Sequence, residues 1–255
     1  MTRVLFVGES WSVTSIHTKG FDSFTTTAYE EGGAALLEAL GGDEFDVTYM
    51  PCHVAVKDFP DSAAKFADYD VVLFSDIGAN SLLLPAPTFL KGRSTPNRLE
   101  LLRDWVHGGG GFGMIGGYLS FQGIEGKANY RNTCVADILP VEMIPGDDRV
   151  EAPQGVRPQL VGDSPVAAGL EQEWPAVLGY QRLLVRPTAT VVAIVGEDPL
   201  LVTGEFGAGR VLAFSTDVGD HWAPSEFVGW PGFARIWRQG VRWLSGSGQV
   251  SDSVA

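Results

Sequence analysis

Short apolar runs that lack a polar alternation constrain this chain more than any other feature. Val4-Leu5-Phe6-Val7 and Val71-Val72-Leu73-Phe74 are two of them, and Phe112 to Ile115 reads the same way. A four-residue run without alternation is the mark of a strand covered on both faces. Phe45 to Met50 reads as a further strand, ending at Pro51. Between these strands lie helical patterns. Tyr29 to Leu40 is one, stopped by Gly41-Gly42, and Pro96 to His107 is another, with Leu99, Leu102 and Val106 on one face. Alternation of this kind predicts an α/β fold with a mostly parallel central sheet and helices on both faces.

The second half of the chain is organised differently. Residues 123–187 are rich in Pro, Gly and Asp and show little periodicity, so they are expected to be loops and strands inserted between core elements. Strand patterns return at Val191 to Val195, Leu200 to Glu205 and Arg210 to Phe214, the last two joined by a hairpin signal at Gly207-Ala208-Gly209. Gly232 to Leu244 reads as the final helix, with an apolar stripe of Phe233, Ile236, Trp237, Val241 and Leu244. Residues 1–245 are expected to form a single domain and 246–255 a flexible tail. There is no internal repeat.

Charge narrows the partners. Eighteen Lys and Arg against thirty-one Asp and Glu give a formal charge of −13, which opposes binding to nucleic acid or to an anionic membrane. The apolar run near the N-terminus is too short for a signal-peptide core, and no stretch has the apolar length to span a bilayer. Two cysteines without a CxxC spacing, Cys52 and Cys134, make a disulfide framework unexpected. A cytoplasmic location is expected.

Two glycine clusters need separating. Gly108 to Gly113 follows a helix and opens a strand, the reverse of a dinucleotide fingerprint, and reads as a helix stop. Gly116-Gly117-Tyr118-Leu119-Ser120 directly follows a strand, where glycines permit a sharp strand-to-helix turn of the kind that carries a nucleophile in many α/β enzymes. A plain tight turn with Tyr118 packed beneath it is the other reading.

Ligands of an open parallel sheet bind outside the carboxyl ends of its strands. That rule gathers Glu9, Ser10 and Trp11 after the first strand, Ser75, Asp76 and Asn80 after the third, and Gly116, Gly117, Tyr118 and Ser120 after the fourth. Asp217, Asp220, His221 and Trp222 follow the late strand, and His17 is placed at the same end. Asp217 and His221 read three ways: as an orienting pair for acid–base work, as divalent-metal ligands with Glu9, Asp76 or His17, or as a turn cap beside a packed aromatic. Trp11 and Trp222 would wall a pocket for a small polar molecule. Asp147, Asp148, Arg149 and Glu151 are expected to be a charged loop of the inserted region.

Several of these segments resemble the class I glutamine amidotransferase-like superfamily, and within it a narrow family of bacterial cytoplasmic proteins. They are Gly8-Glu9-Ser10, His17 to Asp22, Ser75 to Asn80, Met114 to Phe121, Asp147 to Glu151, and Ser215-Thr216-Asp217 with His221-Trp222. The resemblance implies a flavodoxin-like three-layer sandwich. It also implies a Cys-His-Glu triad with the cysteine on the elbow, and here the chain departs from it. The elbow is Gly116-Gly117-Tyr118, Cys134 lies well downstream, and Cys52 follows another strand. Two functions stay open. One is a hydrolase or lyase acting on a polar, sugar-derived substrate, with Asp217 and His221 moving protons, Tyr118 or Ser120 as nucleophile, and the elbow N–H groups holding an oxyanion. The other is a ligand-binding or assembly protein with the same fold. A glutaminase using Cys52 or Cys134 is a distant third. No cofactor is required, a divalent metal is admissible, and a homo-oligomer is expected.

Overall fold

The computed structural model describes residues 1–246; most of the expected tail, residues 247–255, lies outside them. The chain opens with β1 (Thr2–Gly8), whose Val4 to Val7 are fully buried. β2 (Ser10–Lys19) and β3 (Asp22–Glu31) follow as an antiparallel hairpin in register from Ser10–Glu31 to Lys19–Asp22. Every hairpin residue but Ser10 is exposed. This corrects the helix expected over Tyr29 to Leu40. Tyr29 to Glu31 finish β3, and the helix α1 is only Ala34–Ala39. Next come β4 (Phe45–Met50), α2 (Cys52–Asp58), α3 (Ala63–Phe66), β5 (Val71–Ser75), α4 (Ala79–Leu83) and α5 (Ala86–Lys91). α6 (Arg98–His107) starts two residues after Pro96 because Asn97 caps it, accepting from the Leu99 and Glu100 N–H groups. β6 (Gly111–Ile115) follows.

No α-helix leaves the elbow after β6, contrary to expectation. The chain instead turns through residues 116–123 into a short 3₁₀ turn at Ile124–Gly126. α7 (Val135–Ile138), β7 (Val141–Met143), β8 (Arg149–Val156), β9 (Pro158–Leu160), β10 (Val177–Gln181) and β11 (Leu183–Val185) make up the rest of residues 123–187. β8 pairs with β10 and β7 with β11, both antiparallel, while β9 joins the edge of the central sheet. Trp174, Val177, Val141 and Leu183 from this stretch are buried in the same two apolar clusters as the sheet. The stretch is therefore woven into the core. The chain ends with β12 (Thr190–Val195), β13 (Asp198–Phe206), β14 (Gly209–Phe214), α8 (Ser225–Val228) and α9 (Pro231–Leu244).

The central sheet has eight strands in the order β4-β1-β5-β6-β14-β13-β12-β9. The first five run parallel, and the last three add antiparallel neighbours. Alternate residues of each parallel strand enter different clusters. Val4, Phe6, Val71, Leu73, Leu212 and Phe214 pack with α1 and α9. Leu5, Val7, Val72, Phe74, Phe112 and Met114 pack with α2, α4 and α6. Both faces are covered, which is why these strands read as apolar runs and not as alternations.

Candidate functional site

The strand order makes the chain leave β1 in one direction across the sheet and return to β5 on the other side. Such a reversal leaves a crevice between the carboxyl ends of the two strands. The crevice is built by two strained residues. Glu9, just after β1, has φ +50°, and Asp76, just after β5, has φ +42°. Non-glycine residues stay in that region only when their surroundings over-determine them. For Glu9 those surroundings are explicit. Its N–H donates to the Ser75 carbonyl (2.8 Å), its carbonyl accepts from Gly32 N–H (2.9 Å) and the Tyr49 hydroxyl (3.0 Å), and its Oε2 accepts from Ser75 Oγ. Gly8 before it has φ +111°, and a Cβ there would lie 1.8 Å from the Ser75 carbonyl oxygen, so only glycine lets β1 and β5 end this close together. The Asp76 N–H donates to Ser120 Oγ (3.0 Å), and its Oδ1 accepts from Leu119 N–H (2.5 Å).

A cavity of about 460 Å³ opens here, lined by Glu9, Trp11, Asp76, Tyr118, Leu119, Ile124, Asp217, Gly219, Asp220 and His221. Three of its carboxyl groups, Glu9, Asp76 and Asp217, follow the ends of β1, β5 and β14. Burial, reinforced by mutual repulsion, pushes the Glu9 and Asp217 carboxyls well above the usual carboxylate range. Burial raises Asp76 as well, against the pull of Leu119 N–H and His221. His221 moves the other way: burial lowers its imidazole, although Glu151 and Asp76 oppose the shift. Burial thus favours the protonated form of the carboxyls and the neutral form of the imidazole in one cavity, the combination acid–base chemistry needs.

The aromatic wall is fixed from behind by the charged stretch of β8. The Tyr118 hydroxyl donates to Glu151 Oε1 (3.2 Å), and the Trp222 indole N–H donates to Glu151 Oε2 (3.0 Å). Arg149 lies 4.7 Å from the Tyr118 ring centroid and is held by Asp147 and Glu151. The His221 ring meets the Tyr118 ring edge-on at 4.2 Å. Asp148 is buried and accepts the N–H groups of Gln122 (2.9 Å) and Gly123 (2.8 Å), which anchors the loop after the elbow.

Of the residues the sequence gathers, the structure brings Glu9, Trp11, Asp76, Tyr118, Asp217 and His221 to the cavity. Trp222 is buried behind Tyr118, and Ser10 is buried beneath, accepting from the Cys52 N–H (2.8 Å). Three placements correct the expectation. His17 lies near the far end of the exposed hairpin, stacked on Phe24. Asn80 is exposed in α4 and does not line the cavity. Ser120 is 1% exposed and its hydroxyl serves the Asp76 N–H, so it does not stand at the cavity as a nucleophile. Asp217 and His221 share the cavity without a hydrogen bond between them; Asp217 Oδ1 accepts the N–H groups of Val218 (2.7 Å) and Gly219 (3.3 Å). The Gly116 N–H is committed to the Phe214 and Thr216 carbonyls and is unavailable to an oxyanion. The N–H groups of Gly117 and Tyr118 meet no protein acceptor among the described residues. Among the described residues no group of three His, Cys, Asp or Glu side chains is arranged to hold a metal ion.

Sequence reasoning missed the role of Glu151, which it placed in a charged loop, and of Gln181. Gln181 is fully buried, donates to the Gly117 carbonyl, and leaves its Oε1 unpartnered. The spacing Asp147-Asp148-Arg149-Val150-Glu151 held the signal for the first: β8 sends Arg149 and Glu151 to one side and so to one aromatic wall. Nothing local marks Gln181.

Comparison with known proteins adds a family context. The model of the family described as "Putative glutamine amidotransferase" matches residues 3–246. A structure from Salmonella typhimurium, named a cytoplasmic protein, is 45% identical, with 94% of this chain and 98% of that chain covered and a TM-score of 0.91. A second cytoplasmic protein, from Salmonella typhimurium LT2, is 44% identical over 95% and 99% of the two chains, with a TM-score of 0.92. A "Putative thua-like protein" from Parabacteroides merdae shares the fold at 14% identity, covering 99% and 92%, with a TM-score of 0.57. No curated protein matches the chain. Among the described residues no helix is long and apolar enough to cross a membrane.

Proposed function

The chain belongs to the family described as "Putative glutamine amidotransferase", and from that premise, together with an elbow that carries no cysteine, we propose that it is a small-molecule hydrolase or lyase working by general acid–base chemistry. The observation that carries this reading is the convergence of Glu9, Asp76 and Asp217 with His221 in one cavity at the strand ends. A thiolate route has little to support it. Neither cysteine lines the cavity, and burial pushes both thiols up, away from the nucleophilic form.

In this reading a protonated Glu9 or Asp217 donates to a leaving group while neutral His221 takes a proton from water or substrate. Tyr118, its hydroxyl tied to Glu151, positions the substrate and the His221 ring. The free N–H groups of Gly117 and Tyr118 are the donors for a developing oxyanion. The substrate is small and polar, and a sugar-derived molecule suits a cavity with two aromatic walls. We read the sheet as flavodoxin-like, place the protein in the cytoplasm as its Salmonella relatives are named, and expect a homo-oligomer that binds neither nucleic acid nor membrane. A divalent metal stays a proposal that elemental analysis of the purified protein would settle.

Incubation with a library of small polar metabolites, followed by NMR, tests the reading. At least one compound should be consumed, with Asp217→Asn and His221→Ala slowing it by about 10²–10⁴-fold and Cys52→Ala leaving it unchanged. Tight binding without turnover would transfer the assignment to a non-catalytic ligand-binding protein. Release of ammonia from glutamine, lost on Cys52 alkylation, would overturn both.

A further inference from the structure

The cavity lining contains four acids, Glu9, Asp76, Asp217 and Asp220, and among the described residues neither a lysine nor an arginine. Its three deepest carboxyls are each only half engaged. Glu9 gives Oε2 to Ser75, Asp76 gives Oδ1 to Leu119 N–H, and Asp217 gives Oδ1 to two backbone N–H groups. Among the described residues the second oxygen of each meets no protein donor, although Glu9 and Asp217 are almost wholly buried. Three carboxyl oxygens that open onto one cavity without a protein donor can each accept a hydrogen bond from a donor-rich guest.

The aromatic walls are arranged to the same end. Trp11 donates its indole N–H to Glu30 (3.0 Å) and Tyr118 its hydroxyl to Glu151 (3.2 Å). Both polar tips are thus occupied by glutamates, and both rings remain at the cavity wall as π surfaces. Arg149, whose guanidinium lies over the Tyr118 ring, has its charge matched by Asp147 and Glu151. An anionic group entering here would find no cation and four acids, and would lose its hydration uncompensated.

We propose that the cavity binds a small molecule carrying a protonated amine, held by the free oxygens of Glu9, Asp76 and Asp217 between the faces of Trp11 and Tyr118. The inference deepens the acid–base reading of the same cavity by naming the ligand class, and it does not depend on turnover. An ammonium donates three hydrogen bonds and no acceptor is required of it, which matches three acceptors without donors. It also lets carboxyls that burial keeps protonated ionise, so binding should expel protons to the solvent. The α-carboxylate of an amino acid such as glutamine has no counterpart in this lining.

Titration calorimetry on the full chain at about pH 6.5, where a primary amine is protonated, tests it with two probe sets. One set is D-glucosamine, D-glucose and D-glucuronate; the other is 1,4-diaminobutane, 1,4-butanediol and succinate. In at least one set the amine should bind roughly tenfold or more tightly than its neutral partner, with the carboxylate not bound. The heat should change with buffer ionisation enthalpy in the sense of proton release. Asp76→Asn and Asp217→Asn should each weaken the amine by about tenfold or more without loss of the folded far-ultraviolet spectrum. Equal or tighter binding of a neutral or anionic probe, or no amine binding at about 10 mM, overturns the proposal. Turnover of a neutral compound in the library would then leave the acid–base reading standing, whereas amine binding without any turnover would leave the ligand class standing and remove the catalytic reading.

Discussion

Burial holds Glu9, Asp76, Asp217 and His221 away from the protonation behaviour they have in water. Asp217 is the clearest case, because its folded carboxyl titrates above its unfolded one. A raised carboxyl keeps its proton over a pH range where the unfolded chain has lost it, so it lowers stability as pH rises above about 4. Asp217→Asn keeps an oxygen for the Val218 and Gly219 N–H groups and removes the titration. It should therefore raise Tm near pH 8 by on the order of 2–4 °C and leave it unchanged near pH 4, as differential scanning calorimetry would record. Gly116 has no such latitude. A Cβ there would sit 2.5 Å from the Ser215 carbonyl oxygen and 2.7 Å from that of Thr216, so Gly116→Ala should cost about 1–3 kcal/mol in urea unfolding. Glu9 and Asp76 were legible in the sequence because each is the first residue after a buried strand, and Tyr118, Asp217 and His221 because the short loops after β6 and β14 stay at the same end of the sheet. His17 and Asn80 were misplaced because a new element, β2 for the one and α4 for the other, carries each of them away from the cavity. Ser120 stands at the right end of the sheet, but its hydroxyl is claimed by a backbone N–H that no sequence pattern announces.

Among the elements, the β2–β3 hairpin is the one the sequence concealed. Its strands are rich in Ser and Thr and bury neither face, so they have no core-facing period of two. The apolar residues near Tyr29 instead read as the start of a helix. An element that buries so little adds little to the stability of the whole. Replacing residues 13–28 by Asn-Gly would close Ser12 against Tyr29 in the existing register. It should shift Tm by less than about 2 °C and leave amine binding intact, since Trp11 and Glu30 remain. Loss of the exposed Val13, Ile16, Phe21 and Phe24 should also raise solubility, and light scattering would show whether the hairpin joins copies of the chain. β1, β5, β6 and the β13–β14 hairpin were legible because burial on both faces, or a Gly-Ala-Gly turn, leaves a local trace, and β4 because its exposed Asp46 and Thr48 alternate with apolar residues. The pairing of β8 with β10 was not, since its partners lie 21 to 32 residues apart and its register shifts between Val177 and Gly179.

Over the whole molecule, the titrations combine into an uncommon pH profile. Asp148, raised to about 6 by burial, adds to Glu9, Asp76 and Asp217 in weakening the fold as pH rises past the ordinary carboxylate range. His221, lowered by burial, acts in the opposite sense below about pH 6.5. Asp70 and Glu44, lowered by their arginines, weaken it only as pH falls below about 4. Stability measured by urea unfolding should therefore be higher near pH 5 than near pH 8, and Asp148→Asn should flatten part of the difference. The α/β architecture was readable at this scale because it follows from which elements alternate. The strand order was not, because it depends on pairings across the whole chain. That order governs how the protein can be synthesised. β14, residues 209–214, is inserted between β6 and β13 and alone joins the parallel half of the sheet to the antiparallel half. A nascent chain that has left the ribosome as far as β13 holds two part-sheets with open edges, and the sheet cannot join them until β14 has followed. An abortive product ending before residue 209 would leave those edges free to pair with other chains.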